Sequence, residues 1–181
     1  MTKKKQFEIV DNYLPEEQFL EILKTVNNTA FTWSLAPTLL GDGTDNPDDF
    51  YFTRVLIEKG REIFPGSSRM VKMLLEPQAA KLQKSIYVCR SKINLFFKQK
   101  THYGYGMHQD VIDDEYDFSK NYNSLLIYLE DSNGYTEFDD GDIAESKRNR
   151  AIFFRSDKWH QTITSTDTLF RRNININYKI L

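Results

Sequence analysis

The sequence contains one cysteine, Cys89, so no disulfide can form within the chain. A small disulfide-stapled secreted scaffold is thereby excluded, and a lone thiol suits a reducing, cytoplasmic setting. No apolar run approaches the roughly 18 residues that a membrane-spanning helix needs. Neither sign of charge dominates: 24 Lys and Arg stand against 26 Asp and Glu, for a net charge of −2. That balance argues against a basic surface for duplex nucleic acid. The opening MTKKKQFEIV has a charged head without a long apolar stretch behind it, unlike a secretory signal. Its Lys3–Lys5 cluster reads as a solvated end. There is no internal repeat and no low-complexity linker. Histidine is scarce at three residues, so the place of each one is informative.

What is present suits an ordinary globular chain. Its 181 residues form one expected domain, long enough to bury about two-thirds of its unfolded surface. Aromatics are frequent, with 13 Phe and 10 Tyr, and they favour strands. Residues 1–85 hold the better helix candidates and are expected to form a helical N-terminal cap. PEEQFLEILKTV reads as a helix with Pro15 suited to its first turn, Glu16 and Glu17 favouring its N-terminal dipole, and Phe19, Leu23 and Val26 on one face. A second helix starts near Ser68 and is expected to be interrupted near Pro77. QFEIVDNYL and FYFTRVLI read as strands.

From Ile86 the pattern changes to short strand-like runs separated by the turns DSNG, DDGD and TSTD. In FRRNININYKIL, Ile174, Ile176 and Tyr178 alternate with Asn173, Asn175 and Asn177. One face is apolar. The other is a row of amides, suited to a cavity that needs hydrogen bonds. The fold predicted is mainly β with flanking helices: a double-stranded β-helix, or jelly roll, over residues 86–181.

His108 and Asp110 sit two residues apart in GYGMHQD. On an extended segment such positions face the same side, so one metal ion could take an imidazole nitrogen and a carboxylate oxygen. His160, 52 residues later in DKWHQTIT, can supply a third ligand. Two histidines and a carboxylate form the facial triad of non-haem Fe(II) oxygenases. Zinc accepts the same donors, so a hydrolytic or non-catalytic zinc-binding jelly roll is the alternative. Arg171, 11 residues after His160, favours iron. A hairpin over TSTDT would place it on the strand next to His160, where a guanidinium suits the far carboxylate of a dicarboxylate co-substrate. Arg172 must point the other way and is expected to be a surface charge.

With HQD, WHQT and FRRNINI in place, the sequence resembles the 2-oxoglutarate and Fe(II)-dependent oxygenases, in particular their prolyl-4-hydroxylase-like branch. NSLLIYLED, NGYTEFDDG and RNRAIFF resemble intervening family strands, and the likeness covers roughly Ile86 to Leu181. The resemblance implies Fe(II) held by His108, Asp110 and His160, and 2-oxoglutarate anchored by Arg171. It also implies O2 as the second co-substrate, succinate and CO2 as products, and hydroxylation of a peptidyl, prolyl or small-molecule substrate. Two positions depart from the pattern. Asn173 stands where the family often has Ser or Thr, and Asn94 is the stand-in for a usual Tyr; both are assigned to the co-substrate. The carboxylate of Asp110 disfavours the halogenating branch. Asn177, six residues after Arg171 where a second arginine would be needed, disfavours nucleic-acid demethylases.

Other residues carry less. His102 reads as a loop histidine. Tyr103 to Gly106 reads as a mobile loop, and DVIDDEYDFSKNY as a solvated acidic loop. Trp159 is expected in the core, and Cys89 is expected to be buried and inert.

Overall fold

The structure, a computed structural model, describes residues 6–36, 50–110 and 122–181. The acidic stretch predicted to be a solvated loop spans 110–122; its residues 111–121 lie outside the described residues, and Asp110 at its start is buried.

The elements in chain order are β1 (Phe7–Val10), α1 (Glu16–Val26), β2 (Ser34–Ala36), β3 (Tyr51–Glu58), β4 (Arg61–Glu62), α2 (Ser67–Leu82), β5 (Ile86–Phe97), β6 (Asn123–Tyr128), β7 (Tyr135–Phe138), β8 (Ile143–Glu145), β9 (Ala151–Arg155), β10 (His160–Ile163) and β11 (Phe170–Ile180). They build two antiparallel sheets. The main sheet runs β1-β9-β6-β11-β5-β3-β2, with β4 attached to β3, and the smaller one runs β10-β7-β8. Isolated bridges from Gly104 to Ile163 and from His108 to His160 extend the smaller sheet. The two sheets face each other as a jelly roll, as predicted. Both helices precede residue 86, but so do β1 to β4, which complete the main sheet.

Alternation along β11 separates a core from a site. Ile174, Ile176 and Tyr178 are buried against Leu125 and Ile127 of β6, Phe19, Ile22 and Val26 of α1, and Met70, Val71, Leu74 and Leu75 of α2. The amphipathic helices thus cover the outer face of the main sheet. The inner face meets the smaller sheet, where Phe7 stacks on Phe138 with ring centroids 4.4 Å apart. Leu126, Tyr128, Ile152 and Phe154 join them.

α2 runs unbroken through Pro77, contrary to the predicted interruption. Leu74, Leu75 and Gln78 are buried around the proline, and Tyr13 Oη donates to Leu74 O at 2.8 Å. Burial of these neighbours offsets the local cost of the N–H that Pro77 lacks, whose acceptor four residues back would be Met73 O. The first turn is capped in an unexpected way: Glu62 accepts from the N–H groups of Gly66 and Ser68 at 3.0 and 2.8 Å. Cys89 is buried as expected, but Trp159 is 47% exposed. Its neighbour His160 faces the inside of the jelly roll, so alternation turns Trp159 outward, where no layer covers it. Among the described residues, no helix is long and apolar enough to cross a membrane.

Candidate metal centre

His108 and His160 exchange backbone hydrogen bonds at 2.9 Å in both directions. This local pairing sets their rings side by side, with centroids 4.5 Å apart. Asp110 N–H donates to Ser156 O at 3.1 Å, which turns its carboxylate to the same side. The donor atoms of His108, Asp110 and His160 all lie within 4.8 Å of one another, and His160 Nε2 is 3.9 Å from Asp110 Oδ1. These distances suit three ligands of one ion.

The imidazoles are set for that task. Nδ1 of His108 lies 3.1 Å from Gly106 O, and Nδ1 of His160 lies 2.9 Å from Lys158 O. A carbonyl can only accept, so each Nδ1 carries the proton and each Nε2 keeps a lone pair for a metal. Burial pushes His108 down to about 4, and His160 beside it adds to the effect. It is therefore neutral at physiological pH. Burial alone would raise Asp110; His160, His108 and hydrogen bonds from Ser124 and Asn175 outweigh it and hold the carboxyl below its usual range.

A hydrogen-bonded cradle surrounds Asp110. Asn175 Nδ2 donates to Oδ1 at 3.0 Å, and Ser124 Oγ donates to Oδ2. Ser124 in turn lies 2.9 Å from Ser156 Oγ and accepts from Asn177 Nδ2 at 3.1 Å. The amide row read from β11 therefore does face a polar interior. Its link to Asp110 escaped the sequence reading, because Asn175 and Ser124 look like ordinary strand residues until the sheet is assembled.

Arg171 is completely buried on the same inner face. Its guanidinium carbon lies 5.0 Å from the Tyr128 ring centroid and 5.9 Å from that of Phe96. Nη2 has a weak contact with Thr136 Oγ1 at 3.5 Å, while Nε and Nη1 have no hydrogen-bond partner among the described residues. Burial lowers the pKa of the group. Gly134 makes this seat possible: a Cβ there would come within 2.9 Å of Arg171 Cδ and 3.0 Å of Ile163 O.

The placement of Arg171 differs from the hairpin expectation. β10 pairs with β7, whereas β11 pairs with β5 and β6. The turn after β10 crosses from one sheet to the other, so Arg171 and His160 belong to opposite sheets. Arg172 is buried, against expectation. Its backbone and Nε donate to Glu130 at 2.8 and 2.7 Å, and Nη1 donates to Asn27 at 2.7 Å. A local partner on the outer face explains its burial.

Asn94 and Asn173 meet: Asn94 Nδ2 donates to Asn173 Oδ1 at 3.0 Å, and Thr53 Oγ1 donates to Asn94 Oδ1 at 3.2 Å. Both are buried on the inner face, two residue pairs along from Arg171 and Phe96. The sequence reading missed Tyr128 and Thr136 beside Arg171. Tyr128 Oη donates to Thr136 Oγ1 at 2.7 Å. Its signal is the alternation Ser124, Leu126, Tyr128 along one strand face. His102 lies outside the cluster, with Nδ1 2.7 Å from Thr164 O. The segment expected to be mobile is anchored: Tyr105 is buried, and its hydroxyl donates to Phe50 O at 2.9 Å.

The fold is shared with solved structures of 2-oxoglutarate/Fe(II) oxygenases. No protein-family profile and no curated protein matches the sequence. Solved structures do match the fold. A viral collagen prolyl hydroxylase from Paramecium Bursaria Chlorella virus-1, in complex with 2-oxoglutarate, superimposes with a TM-score of 0.64 at 12% identity, covering 98% of this chain and 97% of that one. A Trichoplax adhaerens prolyl hydroxylase, bound to a fragment of hypoxia inducible factor, gives 0.67 at 14% identity, with 97% and 84% covered. The epimerase SnoN of nogalamycin biosynthesis, holding Fe3+, alpha ketoglutarate and nogalamycin RO, gives 0.64 at 10% identity, with 97% and 79% covered.

Proposed function

We propose that this protein is a 2-oxoglutarate- and O2-dependent, non-haem Fe(II) dioxygenase that hydroxylates an organic substrate. In this reading His108, Asp110 and His160 hold Fe(II). The two Nδ1 protons fix both imidazoles in the metal-binding tautomer, and the cradle of Asn175 and Ser124 orients the Asp110 carboxylate. Arg171 receives the far carboxylate of 2-oxoglutarate, with Tyr128, Thr136, Asn173 and Asn94 lining the space between. Bound there, the metal and co-substrate supply the oxidising chemistry, with succinate and CO2 released. The surrounding apolar rings exclude water from the site.

One observation carries the reading: Arg171 is a fully buried cation, with two donors unpaired among the described residues, on the same β11 face whose Asn175 bonds Asp110. Buried charge without a partner is costly, and a dicarboxylate supplies the missing acceptors. A zinc hydrolase or an inert scaffold leaves this cation unexplained. The substrate class we favour is peptidyl, including prolyl, by analogy with the prolyl hydroxylases of the same fold. A small molecule is the alternative, because SnoN shares that fold.

The test is succinate release with Fe(II) and 2-oxoglutarate present, compared with His108→Ala. Turnover that disappears in the variant supports the assignment. A wild-type protein that binds metal yet shows neither turnover nor calorimetric 2-oxoglutarate binding overturns it.

A further inference from the structure

Lys92 lies on β5 directly opposite Asn175 of β11. Alternation puts it on the same inner face as Asn94 and Phe96. The sequence of pairs along the two strands is Phe96 with Arg171, Asn94 with Asn173, then Lys92 with Asn175. The first pair surrounds the proposed seat of the far carboxylate. The last pair adjoins Asp110, which Asn175 bonds. Lys92 is half-buried, with Nζ 5.8 Å from the Tyr51 ring centroid. Among the described residues it makes no hydrogen bond or ion pair. Beside it, Asn175 Oδ1 is buried with no hydrogen-bond partner among the described residues. That amide orientation is fixed chemically, since only Nδ2 can donate to a carboxylate.

We infer that Lys92 is an anion-binding residue of the site, and that it takes a carboxylate next to the metal position, separate from the one held by Arg171. The inference rests on the oxygenase reading for the place of the metal. Two carboxylates could reach this lysine: the 2-oxo acid end of the co-substrate, or a carboxylate on the primary substrate. Both present the same chemistry to a cation. Burial, reinforced by Arg90 nearby, holds Lys92 down to about 8, while Asp110 and Glu58 pull it up. It therefore keeps its proton at neutral pH. Arg90 is itself engaged with Glu58, 3.4 Å away, which leaves Lys92 as the cation facing the interior at this level of the two strands.

Calorimetry on Mn(II)-loaded protein tests this, comparing wild type with Lys92→Met and Lys92→Arg. The first probes are 2-oxoglutarate and pyruvate; pyruvate lacks the carboxylate meant for Arg171. A loss of about 10-fold or more for both acids in Lys92→Met, with recovery in Lys92→Arg, assigns the lysine to the co-substrate. Unchanged 2-oxo acid binding directs the second comparison. Free amino acids and short peptides are titrated against their C-terminal amides, with 2-oxoglutarate saturating. A preference for the free acid that vanishes in Lys92→Met assigns it to the substrate. If position 92 alters neither 2-oxo acid binding nor an acid-over-amide preference, the inference is wrong. Unaltered Mn(II) affinity and circular dichroism in the variants exclude misfolding as the cause. A wild-type protein that holds Mn(II) but binds neither 2-oxo acid defeats the oxygenase reading instead. The acid-against-amide comparison on the Mn(II) protein then still decides the role of Lys92.

Discussion

Asn175 and Asp110 are joined by a 3.0 Å hydrogen bond from Nδ2 to Oδ1, so the strand that carries the buried arginine also steers the carboxylate of the proposed metal site. Outer partners of this kind typically change metal affinity by about 10- to 100-fold when removed. Asn175→Ala and Ser124→Ala are each expected to weaken Fe(II) or Co(II) binding within that range. Competition against a chromophoric chelator measures it, and wild-type affinity in both variants would refute the cradle.

Arg171→Met should have two opposite effects. Binding of 2-oxoglutarate weakens by about 10-fold or more, as expected for losing a charge-assisted pair. The ligand-free protein becomes more stable, because a buried cation with no ion-pair partner among the described residues is replaced by an apolar chain. Calorimetry reads the first and a thermal melt the second; an unchanged 2-oxoglutarate affinity would move the anchor elsewhere.

Gly134→Ala probes the same seat without touching charge. The added methyl meets Arg171 Cδ and the backbone at Ile163 and Ser165, so the arginine or the turn must shift. Weaker 2-oxoglutarate binding with an intact Mn(II) affinity is the expected result.

Glu130→Ala tests the outer face. It leaves Arg172 buried without its carboxylate partner, and a destabilisation of about 3 kcal/mol is expected. Urea unfolding of metal-free protein measures it. A loss below about 1 kcal/mol would mean that Asn27 and solvent suffice for Arg172.

Stability of the metal-free protein should also depend on pH through His108. Its folded value of about 4 lies below the roughly 6.5 of an unfolded histidine. Between those values the unfolded chain binds more protons, so stability falls as pH drops from about 6.5 towards 4. The slope from this residue is at most about 1.4 kcal/mol per pH unit. His108→Gln should flatten the urea midpoint across this window by that contribution, and an identical profile would argue against the shift.

The strand order of residues was legible in the sequence wherever alternation was strict. Ile174, Ile176 and Tyr178 against Asn173, Asn175 and Asn177 announced both faces of β11, and His108 with Asp110 announced a shared side. What the sequence could not express was which strands become neighbours. Arg171 was recognised by its spacing, yet it was assigned to the wrong sheet, because six residues of turn can either fold back or cross over. Arg172 looked like a surface charge because Glu130 is distant in sequence. Lys92 drew no notice, since one lysine in a strand resembles any solvated position until its partner strand is known. Trp159 was expected in the core, and it does face away from His160, but that side of the smaller sheet leaves it 47% exposed.

The two-faced character of β11 carries a consequence for how this chain can vary. Inserting or deleting one residue near Asn173 would exchange the faces of every position beyond it, thrusting amides among the helices and aliphatic chains into the polar interior at the same time. Point changes on this strand can adjust the two functions separately; length changes cannot.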